Sequence, residues 1–236
     1  MDKKSKRILL KLSGNFFAGE QQHGLNFEAI EMIAQEIRSI HTEGYQIAVL
    51  TGGGNIFRGR SRPSSFDATA AHKIGCIATL PNALALTEIL NTQGIDARMM
   101  NSFEVPGVAR QFDAFRARSL LENGKIIVLS GGTGQPYFST DTAAIIRSLE
   151  IKADLFLKGT HVDGVYSDDP KKVSSATRYN TLTYSEALAQ KLGIMDHTAF
   201  VIALENNLNT LVFKFEKGGL RTVLNNPALG TLISST

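Results

Sequence analysis

The stretch Thr51-Gly52-Gly53-Gly54-Asn55-Ile56-Phe57-Arg58-Gly59 follows the apolar run Tyr45-Gln46-Ile47-Ala48-Val49-Leu50, which has the composition of a buried strand. Consecutive glycines have no Cβ to keep a ligand away from the backbone, and they can adopt positive φ angles, so their N–H groups can turn toward an anion. Arg58 adds a planar cation suited to phosphate oxygens. The stretch therefore predicts either a phosphate cradle behind a strand or simply a tight turn, since this pattern alone is not specific.

Length and composition favour one domain, residues 1–236, of ordinary globular character. Hydrophobic residues make up 43% of the 236-residue chain and charged residues 20%, which suggests neither disorder nor a membrane protein. The net charge of +3 is small, and no basic stripe carries interleaved aromatic residues. We therefore expect no nucleic-acid partner.

Cysteine content and apolar run lengths indicate the compartment. Cys76 is the single cysteine, which excludes an intrachain disulfide and fits a reducing environment. No run approaches the roughly 20 apolar residues that span a bilayer. We expect a cytoplasmic protein with no membrane partner.

The first predicted strand, Arg7 to Leu12, is apolar enough to be buried on both faces of a parallel sheet, apart from Lys11. A lysine at the carboxyl end of an interior strand can reach the crevice where open α/β sheets bind ligands. A lysine on an edge strand would instead extend its ammonium group to solvent. The residues of this strand leave both interpretations open.

Strands and helices follow one another along the rest of the chain. Apolar residues at steps of three and four predict a helix from Asn26 to about His41 with Asn26 as its N-cap, between the strands at 7–12 and 45–50. Further helices are predicted at 70–91 with a break near Pro81, at 108–121, at 142–149, at 185–191 and at 196–206. Further strands are predicted at 95–100, 125–129, 153–158, 210–213 and 231–234.

Two further loops carry polar residues suited to a ligand. The loop 130–141 is rich in glycine and leads into a helix that Thr140 or Asp141 could cap, which predicts either a second anion site or a capped helix behind a glycine turn. The loop 159–170 holds three aspartates and Tyr166, which suit a metal-nucleotide site or an ordinary acidic surface loop.

Two glycine-rich loops, a strand-end lysine, an arginine and several aspartates suit phosphoryl transfer, which needs positioning and charge neutralisation more than a protein nucleophile. The chain has no Gly-x-x-x-x-Gly-Lys-Ser/Thr element and no Gly-x-Gly-x-x-Gly fingerprint. It also has no Cys/His cluster for structural zinc and no nucleophile elbow.

Five blocks of sequence, in order and spread over nearly the whole chain, resemble the bacterial uridylate kinases of the amino-acid-kinase superfamily. The blocks are Lys11-Leu12-Ser13-Gly14, residues 52–59, residues 132–141, residues 162–166 with Asp169-Pro170, and Met195-Asp196. The resemblance implies an α/β fold, a three-layer αβα sandwich around a mainly parallel open sheet. It also implies transfer of the γ-phosphoryl group of ATP to UMP in pyrimidine biosynthesis, with Mg²⁺ held mainly by the nucleotide phosphates, in a homohexamer.

The resemblance also implies roles for individual residues. The catalytic residues would be Lys11, Arg58, Asp141 and Asp196, with Asp196 orienting Lys11 against the transferring phosphoryl group. The ATP-binding residues would be Lys11, Leu12, Ser13, Gly14, Gly54, Arg58, Thr160, Tyr166 and Asp169. The UMP-binding residues would be Gly53, Thr133, Gly134, Gln135, Pro136, Tyr137, Phe138, Ser139 and Thr140, and no protein metal ligand is implied.

One position departs from the family pattern. Where the family has an aspartate for the UMP ribose, in a Gly-Asp-x-Met-Gly-Met-like run, residues 70–76 place Ala71, with Asp67 and His72 as candidate substitutes. This departure predicts a raised UMP KM. It also leaves open a kinase with altered acceptor choice, a kinase for a carboxylate or carbamate, and a non-catalytic nucleotide- or oxyanion-binding relative.

Overall fold

The computed structural model describes residues 6–59, 63–170 and 172–236. Its strands, numbered along the chain, are β1 Arg7–Leu12, β2 Gln46–Thr51, β3 Ala97–Asn101, β4 Arg110–Gln111, β5 Ile126–Ser130, β6 Leu155–Thr160, β7 Val165–Tyr166, β8 Arg178–Tyr179, β9 Thr181–Thr183, β10 Thr210–Lys214 and β11 Thr231–Ser234. Nine of them form one sheet in the order β4-β3-β5-β2-β1-β6-β10-β11-β9, and β7 pairs with β8 separately. The neighbours in the large sheet are parallel except β10 and β11.

Helices cover both faces of this sheet. They are α1 Gly14–Ala18, α2 Phe27–His41, α3 Ala68–Ile77, α4 Leu80–Thr92, α5 Ala114–Glu122, α6 Thr140–Glu150, α7 Tyr184–Ala189, α8 His197–Glu205 and α9 Gly219–Asn225. Ile8, Leu10 and Leu12 of β1 join one buried cluster with α1, α2, α4 and α9. Leu9 joins a second cluster with α5, α6, α7 and α8. Alternate residues of one strand therefore feed opposite cores, and the predicted three-layer αβα sandwich is confirmed.

Local signals placed α2 and the break before α4 correctly. The Asn26 side chain accepts a hydrogen bond from the Ala29 N–H and caps α2, as predicted. Pro81 lies in the first turn of α4, where a missing N–H is tolerated, and it separates α4 from α3. The 25-residue stretch Ala68–Thr92 contains an 18-residue window with mean hydropathy 1.3, which is apolar enough by composition to cross a membrane. Since it is divided into helices of 10 and 13 residues, it is weak support for a membrane span.

The predicted helix at 108–121 was wrong in its first turns. Residues 110–111 form the short edge strand β4 instead, and α5 begins after Asp113, whose carboxylate accepts a hydrogen bond from the Arg116 N–H at 2.7 Å. A side-chain cap that satisfies a free N–H group fixes the start of the helix more strongly than hydrophobic spacing does.

Candidate active site

A cleft of about 770 Å³ lies at the carboxyl ends of β1, β2 and β5. Open α/β sheets place their ligand sites at this edge. Residues from four segments of the chain line it: Lys11, Ser13, Gly14, Asn15, Gly52, Gly53, Gly54, Phe57, Arg58, Gly59, Ala71, His72, Gly75, Cys76, Thr79, Gly132, Tyr137, Phe138, Ser139 and Thr140. The two glycine-rich loops predicted to bind anions therefore face the same cleft, and Lys11 lies between them.

In the triplet Gly52-Gly53-Gly54, the first two glycines are required for close approach rather than for an unusual backbone angle. None of the three has a positive φ, so that part of the sequence interpretation was wrong. A Cβ on Gly53 would lie 2.8 Å from the Ala78 carbonyl carbon and 2.9 Å from the Thr79 nitrogen, which is too close for any side chain. Positive φ angles occur instead at Gly131, Gly132 and Gly134 in the second loop.

Lys11 and Lys158 share one carboxylate, and Lys11 of this group lines the cleft. The two lysines are paired in register on the adjacent interior strands β1 and β6. Lys11 Nζ lies 3.0 Å from Asp141 Oδ1, and Lys158 Nζ lies 2.6 Å from Asp141 Oδ2. Both lysines are buried, with 7% and 8% of their surface exposed. Lys11 therefore reaches the crevice, and the edge-strand interpretation was wrong.

Sequence reasoning missed Lys158. The signal that could have found it is the one that singled out Lys11, namely a lysine near the end of an apolar strand, in residues 153–158. Lys158 Nζ also donates a hydrogen bond to the Ile194 carbonyl oxygen. A second buried cation therefore lies beside the one predicted.

Charge and burial oppose each other in this group. Burial by itself would raise the pKa of Asp141, but the positive charges of Lys11 and Lys158 hold that pKa below its ordinary value. Burial and the charge of Lys11 lower the pKa of Lys158, while Asp141 opposes this shift. Two ammonium groups against one carboxylate leave an excess of positive charge, which a bound anion would neutralise.

The Asp196 carboxylate supports the second loop. It accepts hydrogen bonds from the Ser139 hydroxyl and from the Thr142 hydroxyl, the latter at 2.8 Å, and it caps α8 through the Ala199 N–H. The carboxylate that contacts Lys11 is that of Asp141, which corrects the role expected for Asp196.

Ser139 determines where α6 begins. Its hydroxyl accepts hydrogen bonds from the Asp141 and Thr142 N–H groups, so the expected cap at Thr140 or Asp141 was one or two residues too late. The earlier start places Asp141 in the first turn of α6, facing the two lysines.

Arg58 is held over the cleft by its own neighbours. Its Nε donates to the Gly54 carbonyl oxygen and its Nη2 to Asn15 Oδ1, both at 2.9 Å. Ser13 and Gly14, the residues predicted to lie near the ATP phosphates, also line the cleft. Leu12 differs, because its side chain is fully buried in the core and only its main chain borders the loop, where its carbonyl oxygen accepts the Gly52 N–H.

A second cavity of about 610 Å³ contains the three residues expected around adenosine. Thr160, Tyr166 and Asp169 line it together with residues 190–194, and the Tyr166 hydroxyl donates to Asp163 Oδ1 at 2.6 Å. Residues 165–166 form the short strand β7, which sequence reasoning read as part of a loop. In residues 6–59, 63–170 and 172–236, no group of three His, Cys, Asp or Glu side chains is arranged to hold a metal ion.

The second loop is only partly exposed to the cleft. The residues of this loop that line the cleft include Tyr137, Phe138, Ser139 and Thr140. The residues that do not line it are Thr133, Gly134, Gln135 and Pro136. Thr133 Oγ1 instead accepts the Gln135 N–H at 3.1 Å, within the loop.

At the end of the cleft near α3, His72 takes the position expected for Ala71. In the family run the aspartate stands three residues before the second glycine, and the residue three before Gly75 is His72, so the assignment to Ala71 was one residue early. Ala71 is 1% exposed. Asp67 caps α3 through the Ala70 N–H at 2.8 Å. The imidazole of His72 lines the cleft, with its ring 4.6 Å from that of Tyr137.

Tyr137 links this end of the cleft to α3. Its φ of +71° is a left-handed conformation that non-glycine residues rarely adopt, and its hydroxyl lies 3.0 Å from Thr69 Oγ1. Strained backbone of this kind persists where surrounding contacts hold it, and such residues concentrate at functional sites.

A profile described as "Amino acid kinase family" matches residues 6–214. The chain belongs to the amino acid kinase family. The uridylate kinases of Bacteroides thetaiotaomicron and Parabacteroides distasonis are each 41% identical to it, over 98% and 97% of this chain and 98% of each relative.

Solved structures of this family match the fold. The UMP kinase of Bacillus anthracis superposes with a TM-score of 0.93 at 36% identity, over 98% of this chain and 96% of that one. The uridylate kinase of Archaeoglobus fulgidus superposes with a TM-score of 0.73 at 27% identity, over 96% of this chain and 99% of that one. The amino-acid-kinase fold predicted from the sequence is confirmed.

Proposed function

We propose that this protein is a UMP kinase, which transfers the γ-phosphoryl group of ATP to UMP and forms UDP. The observation that carries this proposal is the pair of buried lysines, Lys11 and Lys158, on one carboxylate, with Lys11 lining the cleft that both glycine-rich loops also line. The uridylate kinase relatives match nearly the whole chain, which supports the same activity.

The chemistry follows from the charges of this group. Phosphoryl transfer spreads negative charge over the oxygens of the moving group, so catalysis depends on positioning and electrostatic stabilisation. Lys11 and Lys158 would neutralise that charge, and Asp141 would hold the two ammonium groups apart and in place. Arg58 would contact the phosphates from its own loop. The acceptor phosphate oxygen attacks directly, so no protein nucleophile is required.

We place ATP on the side of Ser13, Gly14 and Gly54, with its adenosine in the second cavity beside Thr160, Tyr166 and Asp169. Mg²⁺ would enter with ATP, held mainly by phosphate oxygens. The acidic side chain beside the phosphate positions is Asp141, which two lysines already neutralise. The donor set of the cleft therefore fits a metal carried by its nucleotide.

We place UMP on the side of Gly53 and the loop 133–140, with its sugar toward His72. An imidazole offers one donor and one acceptor nitrogen, whereas a carboxylate offers acceptors alone, so His72 would hold sugar hydroxyls more weakly or with different selectivity. This substitution favours a second candidate, a kinase of the same mechanism with a broader or altered choice of acceptor nucleotide.

The assembly and setting are further parts of the proposal. A groove of about 380 Å³ at the α3–α4 corner is lined almost wholly by apolar side chains, with Ile56, Ile77 and Leu84 exposed by 43%, 55% and 47%. Apolar patches of this kind mark protein contacts. They support a homo-oligomer, for which we propose the hexamer implied by the resemblance, working in the cytoplasm in pyrimidine biosynthesis.

The test is a coupled assay of ADP formation with UMP, CMP, AMP and small carboxylic acids as acceptors. We expect ADP with UMP, and we expect Lys11→Ala to remove it while Lys125→Ala does not, since Lys125 pairs with Asp96 at the opposite edge of the sheet. ADP with a small acid alone would replace UMP by another substrate class. Nucleotide binding with no acceptor-dependent ADP would identify a non-catalytic relative.

A further inference from the structure

Two buried asparagines form a reciprocal amide pair behind the glycine triplet. Asn55 Nδ2 donates to Asn82 Oδ1 at 2.9 Å, and Asn82 Nδ2 donates to Asn55 Oδ1 at 2.8 Å. The two residues are 1% and 0% exposed, and neither lines the cleft. This geometry is specific, because each amide must face the other in one orientation.

The remaining amide hydrogens tie the pair to the main chain of two loops. Asn82 Nδ2 also donates to the Gly52 carbonyl oxygen at 2.7 Å, and Asn55 Nδ2 to the Gly24 carbonyl oxygen at 2.6 Å. The pair thereby joins the first turn of α4, the glycine triplet and the segment before α2. Buried amides left without partners are costly, so these four bonds act as a unit.

The pair also lies at the contact between the two segments that face phosphates. A Cβ on Gly14 would lie 2.3 Å from Asn55 Oδ1 and 2.6 Å from the Gly54 nitrogen, so Gly14 rests directly on Asn55 and the triplet. Gly14 borders the proposed ATP side, and Gly53 the UMP side. Asn55 therefore lies at the contact between these two sides.

We infer that Asn82 is a positioning residue for phosphoryl transfer, which acts through Asn55 to fix the distance between the donor and acceptor phosphates. This inference rests on the proposed function. In-line transfer requires the reacting atoms to lie about 3–3.5 Å apart, and an error of about 1 Å can lower the rate about 100-fold. The glycine triplet has no side chains of its own to stiffen it. A rigid amide pair packed behind it meets that requirement.

The test compares Asn82→Leu with Thr87→Val. Both remove a buried polar group from α4, but the Thr87 hydroxyl donates within its own helix, to the Ala83 carbonyl oxygen at 2.7 Å. For Asn82→Leu we expect kcat to fall about 10- to 100-fold, with the KM of UMP and of ATP changed by less than about threefold. Thr87→Val should keep the parental kcat even if its melting temperature falls as far as that of Asn82→Leu.

Two further measurements separate positioning from stability. Asn55→Leu combined with Asn82→Leu should lower kcat no further than Asn82→Leu alone, because both changes break one unit. A probe in which adenosine and uridine are joined at their 5′ ends by a chain of phosphates should bind Asn82→Leu at least about tenfold more weakly than the parent, since it spans both sites, while ADP and UMP separately bind as before.

The outcomes are decisive in each direction. A lower melting temperature with unchanged kcat, or a rise in KM without a loss of kcat, would overturn the inference. If Asn82→Leu is recovered unfolded, Asn82→Ala is judged by the same criteria, and failure of both to fold would make the pair a requirement of folding and overturn positioning. A parent protein that binds the joined probe but makes no ADP would contradict the proposed function instead.

Discussion

Lys11 and Lys158 occupy paired positions on neighbouring parallel strands, and both ammonium groups contact the carboxylate of Asp141. Strand pairing places the two cations side by side, and α6 brings the carboxylate to them from the layer above the sheet. Removal of Asp141 leaves two buried ammonium groups without a partner, whereas removal of either lysine leaves one ion pair, so each member makes a separate, testable contribution to rate or stability.

Lys158 should be as important for turnover as Lys11. We expect Lys158→Gln to lower kcat about 100- to 1000-fold, the effect of removing one electrostatic stabiliser of a transition state. Lys158→Arg should restore part of the rate because it keeps the charge. Lys125→Gln is the control, and steady-state kinetics of ADP formation give the result. A loss confined to the KM of ATP would show that Lys158 binds the ground state alone.

Asp141 should make the protein sensitive to acid. Burial by itself raises the pKa of Asp141, but Lys11 and Lys158 lower it below the ordinary 3.8. A carboxyl group whose pKa is lower in the folded state contributes stability above the unfolded value and loses it as the pH falls through the folded value. The parent should therefore lose stability more steeply below about pH 5 than Asp141→Asn does.

Urea unfolding at a series of pH values measures this difference. At pH 7 Asp141→Asn should itself be less stable by about 3–5 kcal/mol, because two buried lysines lose their partner. Asp168→Asn, at an exposed position, is the matched control. If the free energy of unfolding fell equally steeply with pH below about pH 5 in the parent and in Asp141→Asn, the assignment of the ion pairs would be contradicted.

His72 should set the affinity for the acceptor. Replacing an imidazole by a carboxylate restores two acceptors for sugar hydroxyls, and a buried hydrogen bond recovered at about 1–3 kcal/mol corresponds to a fall in UMP KM of about 5- to 150-fold in His72→Asp. The KM of ATP should not change.

Ala71→Asp is the contrasting variant. Because Ala71 is 1% exposed, a carboxylate there should lower the melting temperature without lowering the UMP KM. Initial-rate kinetics, with the UMP KM measured for His72→Asp and for Ala71→Asp, show which position contacts the acceptor. A lower UMP KM in Ala71→Asp, with none in His72→Asp, would move the acceptor contact back to position 71.

Gly53 and Gly54 should respond differently to the same added methyl group. A Cβ on Gly53 would meet main-chain atoms of residues 78–79 at 2.8–2.9 Å, whereas a Cβ on Gly54 meets nothing within 4 Å. Gly53→Ala should therefore lower the melting temperature. Gly54→Ala should keep it but raise the KM of ATP, since its methyl group lies in open space beside the cleft. Calorimetry and kinetics on the pair test this, and equal melting temperatures would refute the packing argument.

The sequence by itself determined the features that depend on neighbouring residues. The apolar run at 7–12 predicted an interior strand, Asn26 predicted a helix start, and Pro81 predicted the break before α4, because burial, capping and a missing N–H are local properties. The sequence also predicted that both glycine-rich loops follow strands and that Lys11 lies near the end of one, because these are local properties too.

Only the tertiary structure decided which side chains meet. The partner of Lys11 is Asp141 rather than Asp196, Lys158 joins them, and the imidazole of His72 lies beside the ring of Tyr137 in the cleft. These contacts depend on strand order, on register and on the helix start that Ser139 fixes. Residues far apart in the sequence produce them, and no local spacing encodes the distance between their charged atoms.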